Sequence, residues 1–190
     1  MNLPNKLTVA RVAMIPFFIV VLAIGMSDNF ALDLATARII AMSIFILASI
    51  TDWLDGYLAR KLNQSTDFGR FMDPLADKIL VMAAMVYMVV LGDIAPWILI
   101  LIESREFIVA GVRMVAANKN VVIAAGFWGK LKTVIQMIMI PVVLSGLGEY
   151  CIFLHVIGII LIIASVALTI ISAIDYIYKN WHVFKKEIES

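Results

Sequence analysis

The 190-residue chain is 63% apolar and 15% charged, with a mean hydropathy of +1.02. Soluble domains run nearer 45–50% apolar and about 25% charged, so this composition excludes an ordinary water-soluble enzyme fold. A net charge of +1 provides no bulk electrostatic grip on nucleic acid, and the single cysteine, Cys151, cannot form an internal disulfide.

Six apolar runs are read in order, at about 10–26, 35–58, 75–92, 94–112, 127–146 and 151–177. Each is long enough to cross a hydrocarbon layer of about 30 Å. They are continuous and rich in Leu, Ile, Ala and Met, which indicates helices and not the alternating strands of a barrel. The first run follows Lys6 and Arg11 like a signal peptide, but its apolar core is long and no small-x-small cleavage site follows, so a retained span is expected. With no repeat and no Pro/Gly/Ser linker visible, residues 1–190 are read as a single domain. The expected fold class is an all-α integral membrane protein with six transmembrane helices.

Basic residues orient the spans. All but Arg38 and Arg105 fall in or beside four places: the N-terminus, the connections between spans two and three and between spans four and five, and the C-terminal tail. The turns around Asp93 and Glu149 hold neither Lys nor Arg. The positive-inside rule therefore places both termini in the cytoplasm, an orientation that needs an even number of crossings.

Polar residues concentrate between the second and third runs. Asp52 and Asp55 lie three apart at the end of span two, and Asp73 and Asp77 lie four apart at the start of span three. Both intervals bring carboxylates to one helical face. A short connection makes the two helices an antiparallel hairpin, so four acids converge near the membrane surface. They would repel and raise one another's pKa unless cations sat among them. With oxygen donors and no His or Cys nearby, the chemistry favours Mg²⁺ or Mn²⁺, and two such ions suit phosphoryl transfer. The alternative is a set of helix caps: Asp73 before Pro74 suits an N-cap with proline at N1, while Ser65 or Thr66 could cap a longer helix. Gly56 and Ala59 would let a nucleotide approach the backbone, Gly69 would relieve a turn, and Arg60 offers a fork for phosphate.

The pattern Asp52-x2-Asp55-Gly56-x2-Ala59-Arg60-x8-Gly69-x3-Asp73-x3-Asp77 resembles the signature of the CDP-alcohol phosphotransferases. Further likeness lies in Asn5-Lys6-Leu7-Thr8 with Arg11, in Asn63-Gln64-Ser65-Thr66, in Arg105-Glu106, and in Gly129-Lys130-Leu131-Lys132-Thr133. The resemblance implies a six-helix bundle that forms a homodimer and opens its polar cavity to the cytoplasm from within the cell membrane. It implies two divalent cations on Asp52, Asp55, Asp73 and Asp77, with Asp77 also the general base. It further implies contacts from Gly56, Arg60, Ser65 or Thr66, and Gly69 to CDP-diacylglycerol, with the Asn5–Thr8 stretch helping to hold the nucleotide.

For the acceptor, Arg105 and Arg113 lie eight apart in span four, and Lys130 and Lys132 open span five. An ionisable group inside a membrane segment is costly and by default faces a cavity or a partner. Pairing of Arg105 with Glu103 or Glu106, and snorkelling of the lysines to lipid headgroups, are the structural alternatives. Together the four cations suit an anionic acceptor. Charge alone allows glycerol phosphate or inositol phosphate, and the resemblance favours sn-glycerol 3-phosphate. The reaction so implied yields phosphatidylglycerophosphate and CMP. Two other classes fit the sequence less well: an intramembrane prenyltransferase, disfavoured by six spans and the Gly-x2-Ala-Arg segment, and a cation transporter, disfavoured by acids clustered at one surface.

Overall fold

The computed structural model describes the backbone over residues 3–27, 29–62, 67–118 and 126–179, and side chains within residues 10–27, 29–52, 75–116 and 126–179. Among them are six α-helices and no strand: α1 (Leu3–Gly25), α2 (Leu34–Leu62), α3 (Asp67–Val90), α4 (Pro96–Asn118), α5 (Phe127–Leu144) and α6 (Ile152–Lys179), with a 3-10 turn at Leu147–Glu149. Each apolar run thus corresponds to one helix.

Among the described residues, three helical segments are long and apolar enough to cross a membrane by length and composition: Leu34–Asp52, Phe127–Leu144 and Ile152–Lys179. In α1 the described side chains, 10–25, are uncharged apart from Arg11. Ionisable groups interrupt the other two, with Asp77 and Lys78 in α3 and Glu103, Arg105, Glu106 and Arg113 in α4. At about 1.5 Å per residue, the 29 residues of α2 extend about 43 Å, well beyond a hydrocarbon layer. In sequence, α2 turns polar from Asp52 onward, with Asp55, Arg60 and Lys61 in its last three turns.

Two compact units divide the chain. In the first, Met1–Ile94 with Ile140–His155, α1 packs on both α2 and α3, and α2 touches α3. The inward face of α1 is Arg11, Ile15, Phe18 and Leu22, at the three- and four-residue intervals of a helical stripe. Facing residues on α2 include Ala37, Ala41 and Ala48, small enough for close backbone approach. Two contacts fix the antiparallel register. Gly25 lies so near Ala37 that an added Cβ would overlap the alanine methyl, and Arg11 meets Asp52 at the other end. Phe18 meets Tyr87 of α3 edge-on at 6.3 Å, and the Tyr87 hydroxyl donates to the Ile19 carbonyl at 3.0 Å.

The end of this unit away from Asp52 closes around Arg38, which the distribution of basic residues leaves unexplained. Arg38 is 5% exposed. Its Nη2 donates to both Asp93 oxygens at 2.7 and 2.8 Å and to the Val143 carbonyl at 3.0 Å, while Nε donates to the Leu144 carbonyl at 2.9 Å. A single guanidinium therefore joins the α3–α4 turn to two carbonyls at the end of α5. Gly146 has φ +69°, and a Cβ there would sit 2.7 Å from Arg38 Nε, so backbone conformation and space both require glycine.

The second unit, Ala95–Met139 with Val156–Ser190, holds most of α4, α5 and α6. The polarity of α6 is reversed relative to a water-soluble helix. Gly158, Ser165, Thr169, Ser172 and Tyr176 are buried, whereas Ile159, Ile160, Ile163, Ile170, Ile171 and Ile174 are exposed. Small and hydroxylated residues at a packed face, with large aliphatic residues outside, match association in lipid. Two hydroxyls on this face bond back into the helix, Thr169 to the Ser165 carbonyl at 2.7 Å and Ser172 to the Thr169 carbonyl at 3.0 Å.

Of the two capping alternatives at α3, the longer helix is the one observed. Asp73 does not cap a helix with Pro74 at N1, because α3 already begins at Asp67 and runs through both positions. The physical reason is the continuous helix, which puts any cap upstream; Ser65 and Thr66 lie outside the described residues.

Candidate active site

Helix register sets the acidic positions. Asp52 and Asp55 both fall within α2, and Asp73 and Asp77 both fall within α3, each pair one turn apart. Because α2 and α3 touch and α1 packs on both, the two acid-bearing helices are neighbours in one unit. The Asp52 side chain is 40% exposed and Asp77 is partly buried. Asp55 and Asp73 have side chains outside the described residues, as do Gly56, Arg60 and Gly69 on these helices and Asn5 and Thr8 on α1. Among the described side chains no three potential metal ligands come together. The donor set that the four positions supply is all carboxylate oxygen, which fits a hard divalent cation such as Mg²⁺ or Mn²⁺.

Arg11 supplies a contact that spacing along a single helix does not reveal. Its Nη1 lies 2.6 Å from Asp52 Oδ1, and its side chain is 1% exposed. The signal available in the sequence was an arginine at the head of an apolar run, where burial of a charge requires an anionic partner.

In the second unit, the expected acceptor residues divide into two groups. Glu106 Oε1 accepts from Lys132 Nζ at 2.8 Å and from Arg105 Nη1 at 2.9 Å, so one carboxylate ties α4 to α5 and holds two of the cations. Arg105 Nε also donates to Ser172 Oγ of α6 at 3.1 Å. The guanidinium lies against Gly129, where a Cβ would come within 2.9 Å of Nη2. Lys132 is 2% exposed, which rules out snorkelling for it in this conformation. Arg113 and Lys130 are exposed, and the Arg113 guanidinium lies 5.9 Å from the Tyr176 ring centroid. One turn beyond Lys132 on α5, Gln136 is 4% exposed and its Nε2 has no hydrogen-bond partner among the described residues. Spacing had not singled out Gln136, because a lone amide in an apolar run carries no pattern.

Comparison with known proteins decides the family. The profile for "CDP-alcohol phosphatidyltransferase" matches residues 1–171. The chain belongs to the CDP-alcohol phosphatidyltransferase family. Among curated relatives, the CDP-diacylglycerol–glycerol-3-phosphate 3-phosphatidyltransferase of Bacillus subtilis (strain 168) is 41% identical over 189 residues, covering 97% of both chains. A probable phosphatidylglycerophosphate synthase of Mycobacterium tuberculosis (strain CDC 1551 / Oshkosh) is 38% identical, covering 93% of this chain and 80% of its own. The CDP-diacylglycerol–glycerol-3-phosphate 3-phosphatidyltransferase of Rickettsia bellii (strain RML369-C) is also 38% identical, covering 92% of this chain and 93% of its own.

Proposed function

We propose that this protein transfers the phosphatidyl group from CDP-diacylglycerol to sn-glycerol 3-phosphate, giving phosphatidylglycerophosphate and CMP in phospholipid biosynthesis. The observation that carries the reading is the 41% identity, across 97% of both chains, to a relative bearing that activity's name. The acidic positions on α2 and α3 support it, because Asp52, Asp55, Asp73 and Asp77 offer the oxygen donors such a transfer needs.

On this reading the four aspartates hold two divalent cations, Mg²⁺ or Mn²⁺. Cations bound there would neutralise the donor's diphosphate and ease departure of CMP. Asp77 accepts the proton of the acceptor hydroxyl. The hydroxyl oxygen then bonds to the phosphorus that carries the diacylglycerol, and the bond from that phosphorus to the CMP oxygen breaks. Asn5, Thr8, Gly56, Arg60, Ser65, Thr66 and Gly69 are assigned to CDP-diacylglycerol. Arg105, Arg113, Lys130 and Lys132 are assigned to the acceptor phosphate. Charge-assisted hydrogen bonds of that kind contribute about 1.5–3 kcal/mol each. The already shared Glu106 sets the geometry of two of these cations, and Arg113 and Lys130 are the exposed pair.

The chain acts as one functional domain over residues 1–190, crosses the cell membrane six times with both termini and the active site on the cytoplasmic side, and works as a homodimer. Exposed isoleucines along α6 support the membrane setting, and the basic residues around the connections support the orientation. The deciding experiment incubates the purified protein with labelled CDP-diacylglycerol and a panel of alcohols. Phosphatidylglycerophosphate and CMP are expected with glycerol 3-phosphate alone. Transfer to inositol phosphate or serine instead would replace the acceptor, and no release of CMP with any alcohol would overturn the reading.

A further inference from the structure

A nearly fully buried arginine in a helix that enters the apolar layer is costly. Stability alone gives no reason to keep one, since buried ion pairs exchanged for apolar residues commonly leave a fold as stable or more so. Arg11 is such a residue. It lies on the inward stripe of α1 with Ile15, Phe18 and Leu22, is 1% exposed, and sets its Nη1 2.6 Å from Asp52 Oδ1. Its partner is the opposite case. The Asp52 side chain is 40% exposed, and an unanchored carboxylate at that exposure samples several rotamers.

The register of α1 on α2 holds this contact from far away. Gly25 against Ala37 and Arg11 against Asp52 lie fourteen and fifteen residues apart on their helices, so sliding one helix by a turn would break both. The planar guanidinium fork is rigid and directional, unlike the point charge of a lysine.

We propose that Arg11 is a positioning residue that holds the Asp52 carboxylate in the orientation needed to bind a divalent cation. This rests on the metal-binding reading of Asp52 given above. Arg11 acts through Asp52, and its planar geometry contributes as well as its charge.

The test measures Mn²⁺ binding directly, by the electron paramagnetic resonance signal of free Mn²⁺, on full-length protein in nanodiscs without substrate. Wild type, Arg11→Met, Arg11→Lys, Asp52→Asn and the Arg11→Met/Asp52→Asn double variant are compared, with helical content and thermal unfolding recorded without metal. Outer partners of metal ligands typically contribute 10- to 100-fold to affinity. Arg11→Met is expected to weaken Mn²⁺ binding by a factor in that range, Arg11→Lys by less, and the double variant no more than Asp52→Asn. Unchanged or tighter binding in Arg11→Met would show that the arginine merely adds positive charge, and overturns the proposal. So does an additive loss in the double variant. If Arg11→Met does not fold, Arg11→Lys decides: weakened binding with native helical content supports positioning, and wild-type affinity overturns it. Absence of Mn²⁺ binding by the wild type itself is a different result, which removes the metal reading of the four aspartates.

Discussion

Lys132 and Glu106 meet at 2.8 Å between α5 and α4, and the lysine is 2% exposed whereas the glutamate side chain is 25% exposed. The two partners are therefore unequal. Removing the carboxylate takes away the anion hydrogen-bonded to a buried ammonium, while removing the lysine leaves Glu106 with Arg105 still 2.9 Å away. Glu106→Gln should cost about 3 kcal/mol or more of stability, the low end expected for breaking a buried pair. Lys132→Met should cost less and should chiefly raise KM for glycerol 3-phosphate. Thermal unfolding in detergent with steady-state kinetics checks the order, and a Lys132→Met protein less stable than Glu106→Gln would contradict it.

Asp77→Asn keeps the shape of a partly buried side chain on α3 but cannot accept a proton. Turnover should fall by at least about 100-fold, the lower bound for losing a general base. Unfolding temperature and helical content should stay near wild type. A variant retaining a substantial fraction of the rate would assign the base elsewhere.

Removal of divalent cations by exhaustive chelation should abolish CMP release, and Mg²⁺ or Mn²⁺ should restore it. Activity that persists after chelation would contradict the role given to the carboxylates. The same titration on Asp52→Asn should show a higher metal concentration for half-maximal rate, because one oxygen donor has been lost.

Gly146→Ala tests the Arg38 clamp. The substitution asks an L-residue to hold φ +69° with its methyl 2.7 Å from Arg38 Nε. Left-handed backbone alone costs about 1–2 kcal/mol for a residue with a Cβ. The measurable result is a lower unfolding temperature, with KM for both substrates unchanged because the clamp lies at the end of its unit away from Asp52.

Asp33 gives a pH-dependent signal. Its Oδ2 accepts from the Thr36 backbone N–H at 2.9 Å at the start of α2, and this bond lowers its pKa below the ordinary carboxylate range. A lowered folded pKa means the support is present above the unfolded value and is lost as pH falls through the folded one. Hydrogen exchange at Thr36 should therefore lose protection as pH falls through the carboxyl's folded pKa, relative to the intrinsic rate, and Asp33→Asn should remove that pH dependence.

The six apolar runs anticipate the six helices because apolar length is a property of consecutive residues. The aspartate pairs were visible for the same reason, since intervals of three and four within one helix define one turn. Contacts between helices were harder to read. Arg11 with Asp52, Lys132 with Glu106, and Arg38 with Asp93 join residues 41, 26 and 55 positions apart, and each depends on a helix register that no local spacing encodes. The start of α3 was legible only as two alternatives, because Asp73-Pro74 has the form of a helix start and so do Ser65 and Thr66 upstream; the longer helix, beginning at Asp67, is the one that forms.

The reversed polarity of α6 has a practical side. Its isoleucine-covered exterior is the part that demands detergent, whereas the serine, threonine and glycine seam is the part that recognises its neighbours. Replacing Ile159, Ile163, Ile170 and Ile174 by glutamate and lysine would cut the need for amphiphiles without touching that seam. The same exchange at Ser165 or Ser172 would unseat the helix and leave its greasy coat intact.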